Sequence, residues 1–252
     1  MEFISLKIKK QDDPDGLSYW ERFEVPYEEG MTIAHALFRI GFLHPESSEG
    51  SEEKITAPVC EMSCLEGVCG ACAMQINGKP RLACKTFADE FTGQIVLEPL
   101  PKFPVVRDLI VNRSKLSQAV QDLSAFASLE GVEDDPNALQ RVKKNDSKNL
   151  SAFDGCVMCG ICSVACPQVS ERSAFQGAFV LAKLALLELH PWTSGQTAAR
   201  INASAQKGGV ADCAGAMSCE CVCPAGLSLA SASAVLGRIT AFQTLASYFQ
   251  KV

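Results

Sequence analysis

The sequence predicts an α+β chain in two parts, strand-rich at the N-terminal end and helical thereafter. Three observations point there. Apolar and polar residues alternate with a period of two only in the region before Pro99, the pattern of half-buried strands. Pro99, Pro101 and Pro104 then punctuate the chain, and beyond them apolar residues recur at helical spacing. Finally, the cysteines gather into three groups at ligand-like spacings, one before the prolines and two after. The expected domains are 1–103 and 104–252.

The elements follow in order. Residues 3–9 alternate, as do residues 20–25 around Phe23, and Asp13-Pro14-Asp15-Gly16 marks a turn between two strands. Thr32 is placed to cap a helix over residues 33–42, whose Ile33, Leu37 and Ile40 share one face. Residues 45–53 read as a polar loop. A strand over residues 73–76, the turn Asn77-Gly78 and a return over residues 81–84 make a hairpin, and residues 94–97 a further strand. Pro104 is expected to open a helix carrying Val106, Leu109, Ile110, Leu116, Val120 and Leu123. Residues 130–148 are charged and loop-prone, and helices are expected over 175–189, 197–206 and 229–249.

Composition narrows the function classes. With 252 residues and 47% hydrophobic side chains the chain can bury a substantial core. A net charge of −6 argues against nucleic acid as a partner. Thirteen cysteines, odd in number and grouped as C-x2-C, favour metal ligation in a reducing compartment over disulfides, so the sequons at Asn112 and Asn202 read as accidental. No targeting peptide is expected ahead of the first strand. The apolar stretch from Ala174 to Leu189 contains Gln176, Lys183 and Glu188, and reads as a core helix, not a membrane span.

The first cysteine group, Cys64, Cys69 and Cys72 followed by Cys84, has the C-x4-C-x2-C spacing with a distant fourth ligand that holds a plant-type [2Fe–2S] cluster. Gly67, Gly70 and Ala71 let the loop wrap closely, so that peptide N–H groups can face sulfur. The hairpin explains how Cys84 is returned to the loop.

The second group reads Cys156-x2-Cys159-x2-Cys162-x3-Cys166-Pro167, the bacterial ferredoxin run. Fifty-seven residues further on, Cys213, Cys219, Cys223 and Pro224 stand in register with Cys156, Cys162, Cys166 and Pro167, with Ala216 opposite Cys159. In such paired runs the fourth cysteine ligates the other cluster. Cys156, Cys159, Cys162 and Cys223 then complete a [4Fe–4S] set. Cys166, Cys213 and Cys219 make a three-thiolate set, read as [3Fe–4S] because one cubane corner lacks a ligand. Two zinc sites are the competing reading, and alanine at a fourth position suits a closed zinc tetrahedron poorly. Cys60 and Cys221 fit no ligand position, and His35, His44 and His190 read as core or surface residues.

With both halves read, the chain resembles the iron–sulfur subunit of succinate dehydrogenase and fumarate reductase. The resemblance rests on Cys64–Cys72, Asn77-Gly-Lys-Pro-Arg81, Phe103-Pro-Val-Val-Arg-Asp108 and both later cysteine runs. It implies a plant-type ferredoxin (β-grasp) domain followed by an all-α bacterial-type ferredoxin domain. It also implies electron transfer from the FAD of a partner flavoprotein, which oxidises succinate to fumarate, through [2Fe–2S], [4Fe–4S] and [3Fe–4S] to a quinone. The partners are then the flavoprotein and a membrane anchor, which would hold the subunit peripherally on the cytoplasmic side of a bacterial inner membrane. No residue of this chain is expected to act as acid, base or nucleophile.

One departure bears on the quinone. Ubiquinone-reducing members carry tryptophan after the cubane Cys-Pro and histidine after the first cysteine of the last run, where this chain has Gln168-Val169-Ser170 and Ala214. It is more similar to menaquinone-linked members, including those with a haem b-bearing, dihaem cytochrome anchor. The direction, succinate oxidation or fumarate reduction, stays open. Two other classes compete: a subunit of the glycolate-oxidase or heterodisulfide-reductase type, which usually carries two complete cubane sets, and a free ferredoxin carrier.

Overall fold

The computed structural model describes residues 2–44, 56–127, 150–190, 193 and 197–249, and the chain divides into two compact units, 1–113 and 114–252.

In the first unit, β1 (Phe3–Lys10) pairs antiparallel with β2 (Tyr19–Pro26), with Leu6 opposite Phe23 and Ile4 opposite Val25. The alternation seen in the sequence puts Leu6, Ile8, Phe23 and Val25 in the core, each such side chain contributing about 1.5–3 kcal/mol by leaving water. β3 (Ala73–Ile76) and β4 (Lys79–Leu82) form the hairpin, and β5 (Ile95–Glu98) runs parallel to β1 and antiparallel to β3. The mixed sheet has the order β2-β1-β5-β3-β4. Positive φ at Asn77 and Gly78 gives the two-residue turn the conformation that matches strand twist. Helix α1 (Ile33–Leu43) starts where Thr32 accepts the His35 N–H at 3.2 Å, and it buries Ile33, Ala36, Leu37 and Ile40. Lys10, 1% exposed, pairs with Glu21 at 2.9 Å and donates to both oxygens of Thr56, so its buried charge is compensated.

The stretch after Pro104 departs from the expectation. It forms no helix but two short antiparallel strands, β6 (Val105–Arg107) and β7 (Ile110–Val111). The reason lies between them. Asp108, 2% exposed, accepts the backbone N–H groups of Gln11 and Val59 at 3.0 and 2.7 Å, and its own N–H donates to the Gln11 carbonyl. Tertiary hydrogen bonds to a buried carboxylate outweigh an accidental helical periodicity. The helix, α2 (Ser114–Asp122), begins only afterwards and buries Leu116 and Ala119.

Among the described residues the second unit contains helices and no strand: α2 is followed by α3 (Ile161–Ala165), α4 (Ala178–Leu189), α5 (Thr197–Ala205), α6 (Ser218–Cys221) and α7 (Leu229–Phe249). The bounds of α7 are those expected, whereas α4 starts later than Phe175 because Gly177, at φ 113°, breaks the helical path. Residues 178–182, 184 and 185 are all buried, and α4 packs against α7. Arg200, 1% exposed, pairs with Glu188 at 2.6 Å. No described helix is long and apolar enough to cross a membrane. The expected loops over 45–53 and 130–148 lie outside the described residues.

Candidate iron–sulfur sites

The cysteine loop of the first unit runs from Cys64 to Cys72, and Cys84 sits on a single 3-10 turn, Ala83–Lys85, past the end of β4. The Ala83 N–H donates to the Cys72 carbonyl at 3.1 Å, which sets Cys84 beside Cys72 with sulfurs 3.3 Å apart. The loop turns its peptides inward. Glu66 and Val68 each donate a backbone N–H to Cys64 Sγ at 3.4 Å, and Ala71 donates to Cys69 Sγ at 3.5 Å. Gly70, at φ 74°, occupies the left-handed conformation such wrapping needs.

These contacts show in the thiol acidities. The Glu66 N–H, with help from Cys69 and further loop amides, pulls the Cys64 thiol down to about 6. Burial first, and then Cys72 beside it, pushes Cys84 up to about 12.

In the second unit, Cys156, Cys159, Cys162 and Cys223 line one pocket, walled by Phe179, Leu227 and Leu229. This is the crossed set, three cysteines from one run and one from the other. Burial pushes the Cys162 thiol up, and Cys159, Cys156, Cys223 and Cys219 nearby push further. Cys219 is likewise raised, first by burial and then by the charges of Cys166 and Cys213.

The two runs share a backbone as well as a spacing. Gly160, at φ 84°, precedes α3, and Met217, its counterpart, precedes α6 at φ 57°. Two residues earlier Met158 and Gly215 match in the same way, at φ 50° and 67°. In that register Ala216, exposed, stands where Cys159, buried, stands in the first run.

Several residues around the sites escaped the sequence reading. Asp108 anchors Val59 ahead of the cysteine loop, and Arg113 donates to the loop's carbonyls. Glu220, between Cys219 and Cys221, accepts the Ala230 N–H at 2.8 Å and so ties the last run to the first turn of α7. The spare thiols behave differently from one another. Burial pushes Cys60 up to about 11, while Cys221 is exposed. His35 is exposed, and His44 meets the edge of Phe23 at 5.6 Å.

The residues fit the groups their spacing implies. Among the described residues no three His, Cys, Asp or Glu side chains converge as the ligands of a single ion. Cys156, Cys159, Cys162 and Cys223 instead line a pocket, and amide donors face the sulfurs of Cys64 and Cys69 in the first set. Several thiolates crowded in buried surroundings require compensating positive charge, which bound iron would supply.

Comparison with known proteins agrees. Residues 5–118 match the family model of the 2Fe-2S iron-sulfur cluster binding domain, and residues 152–227 that of the 4Fe-4S dicluster domain. The succinate dehydrogenase iron-sulfur subunit of Bacillus subtilis is 36% identical over 98% of this chain and 96% of its own length. The chain belongs to the succinate dehydrogenase and fumarate reductase iron–sulfur subunit family. The corresponding subunit of Paracoccus denitrificans is 33% identical over 68% of this chain and 66% of its own, and the fumarate reductase iron-sulfur subunit of Haemophilus influenzae 29% over 83% and 82%. In fold, the chain is similar to one from the Mycobacterium smegmatis Sdh1 complex, with a TM-score of 0.80, 22% identity and 96% of each chain covered. Family membership accounts for the order of the parts, a 2Fe-2S domain followed by a 4Fe-4S dicluster domain.

Proposed function

We propose that this chain is the electron-transfer subunit of a membrane-bound succinate dehydrogenase. It accepts electrons from the FAD of a flavoprotein partner and delivers them towards quinone at a membrane anchor. The observation that carries this is the near full-length match to a succinate dehydrogenase iron–sulfur subunit in a chain that retains all the cysteines expected of it. Cys64, Cys69, Cys72 and Cys84 would hold [2Fe–2S]; Cys156, Cys159, Cys162 and Cys223, [4Fe–4S]; and Cys166, Cys213 and Cys219, [3Fe–4S].

When bound, the clusters supply one-electron relays whose potentials depend on type, charge, hydrogen bonding and exposure. The chain does the rest. Its thiolates fix each position, and the Glu66, Val68 and Ala71 amides stabilise negative charge on Cys64 and Cys69. Phe179, Leu227 and Leu229 keep water from the crossed set. The helices that carry Cys162 and Cys219, α3 and α6, pack together and keep the two runs of the second unit adjacent, as stepwise transfer requires.

Exposed apolar residues support a subunit over a free carrier. Leu65 and Val68 on the cysteine loop, Phe38 and Phe42 on α1, and Phe242, Leu245 and Phe249 on α7 offer surface suited to partners. The domain boundary near the three prolines, the menaquinone acceptor suggested by Gln168 and Ala214, and a haem-bearing anchor belong to the same reading. Purification of the tagged chain from detergent-solubilised membranes of its host tests it. The expected result is co-purification of a flavoprotein, succinate-dependent reduction of a quinone analogue and three cluster signals in EPR. Stoichiometric zinc with little acid-labile sulfide, or a chain without flavoprotein, would overturn it.

A further inference from the structure

Arg113 is the last residue of the first unit, and its side chain turns back onto the cysteine loop. Nη1 donates to the Gly70 carbonyl at 3.1 Å, and Nη2 donates to the Ala71 carbonyl at 2.6 Å and to Glu61 Oε2 at 3.0 Å. The Arg113 side chain is 18% exposed, while that of Glu61 is 46% exposed and correspondingly better screened. The peptide between Gly70 and Ala71 is the one that matters. Its carbonyl accepts from Arg113, and its N–H, that of Ala71, donates to Cys69 Sγ at 3.5 Å. A single planar group therefore links the cation to a cluster cysteine.

Polarising a carbonyl makes the N–H of the same peptide a stronger donor. A stronger donor to a ligand sulfur favours the more negative, reduced cluster, as does a nearby cation. We infer that Arg113 is a positioning residue of the [2Fe–2S] site, raising its reduction potential through the Gly70–Ala71 peptide and the Cys69 sulfur. This rests on the assignment of Cys64, Cys69, Cys72 and Cys84 to that cluster. One feature separates the relay from simple charge. A lysine would keep the cation but, as a compact point charge, would not reproduce the fork across two carbonyls. Glu61 carries the opposing charge, so its removal should act with the opposite sign.

The test is an EPR-monitored redox titration of the purified, cluster-loaded complex carrying wild-type chain, Arg113→Met, Arg113→Lys or Glu61→Gln. At a fixed ambient potential, Arg113→Met should lower the reduced-to-oxidised ratio of [2Fe–2S] roughly tenfold, about 59 mV for one electron. Arg113→Lys should lower it by roughly threefold and Glu61→Gln should raise it. The signals assigned to the second unit should titrate unchanged. An intact [2Fe–2S] signal titrating at the wild-type potential in Arg113→Met would overturn the inference. Should that variant lose its cluster, Arg113→Lys at the wild-type potential together with Glu61→Gln showing no upward shift would overturn it equally. A wild-type complex without any [2Fe–2S] signal would instead bring down the cluster assignment beneath it.

Discussion

The two cysteine runs of the second unit are near-copies that differ where it counts. Both enter a short helix through a left-handed residue, Gly160 in one and Met217 in the other, and both place a positive-φ residue two positions earlier, Met158 and Gly215. The backbone is thus the same device used twice. The first run supplies Cys159 at the next position and the second supplies exposed Ala216. If the two sets bind clusters as proposed, cluster type is a matter of one side chain on a shared backbone. The fourth iron of a cubane needs its own thiolate, and a methyl group cannot provide one.

The largest expected effect breaks the comparison at its crossing point. Cys223 belongs to the second run yet lines the pocket of the first run's cysteines. Cys223→Ser should therefore abolish the [4Fe–4S] signal and spare [2Fe–2S], whereas Cys166→Ser, in the first run, should abolish the [3Fe–4S] signal. Low-temperature EPR of the purified complex reads both. The reverse pattern would mean that each run serves its own cluster.

A smaller effect should come from the approach to the second run alone. A Cβ on Gly209 would lie 1.9 Å from the Ser204 carbonyl oxygen at the end of α5, a clash with backbone that no rotamer relieves. Gly209→Ala should cost roughly 1–3 kcal/mol of overpacking strain. It should weaken or broaden the [3Fe–4S] signal and accelerate its loss on warming, with [2Fe–2S] untouched. The smallest effect is expected at the spare thiols. Cys60→Ser and Cys221→Ser should retain all three EPR signals; loss of the [3Fe–4S] signal in Cys221→Ser would shift the register of the last run.

How far these features could be read from sequence depends on what encodes them. The gathering of Cys156, Cys159, Cys162 and Cys223 was legible because spacing and the pairing of the two runs are properties of residue type. So were Thr32, Asn77-Gly78 and α7, where local chemistry and tertiary structure agree. Residues 104–111 were misread as helix, because their extended path is fixed by Asp108 accepting from Gln11 and Val59, partners distant in sequence. Arg113 left no signal at all. It binds two backbone carbonyls, and every residue carries one. Gly209 was hidden for the opposite reason: what matters there is an absent side chain.

The most direct measurement restores the missing thiolate. Ala216→Cys places a fourth ligand in the set formed by Cys166, Cys213 and Cys219. In the purified, fully iron-loaded complex the oxidised [3Fe–4S] EPR signal should disappear and a second [4Fe–4S] signal should appear on reduction. The potential of that site should fall, and quinone reduction should slow while succinate oxidation by an artificial acceptor upstream continues. An unchanged oxidised [3Fe–4S] signal in a folded, iron-replete variant would contradict the match of Ala216 with Cys159, and with it the claim that this residue sets the cluster type.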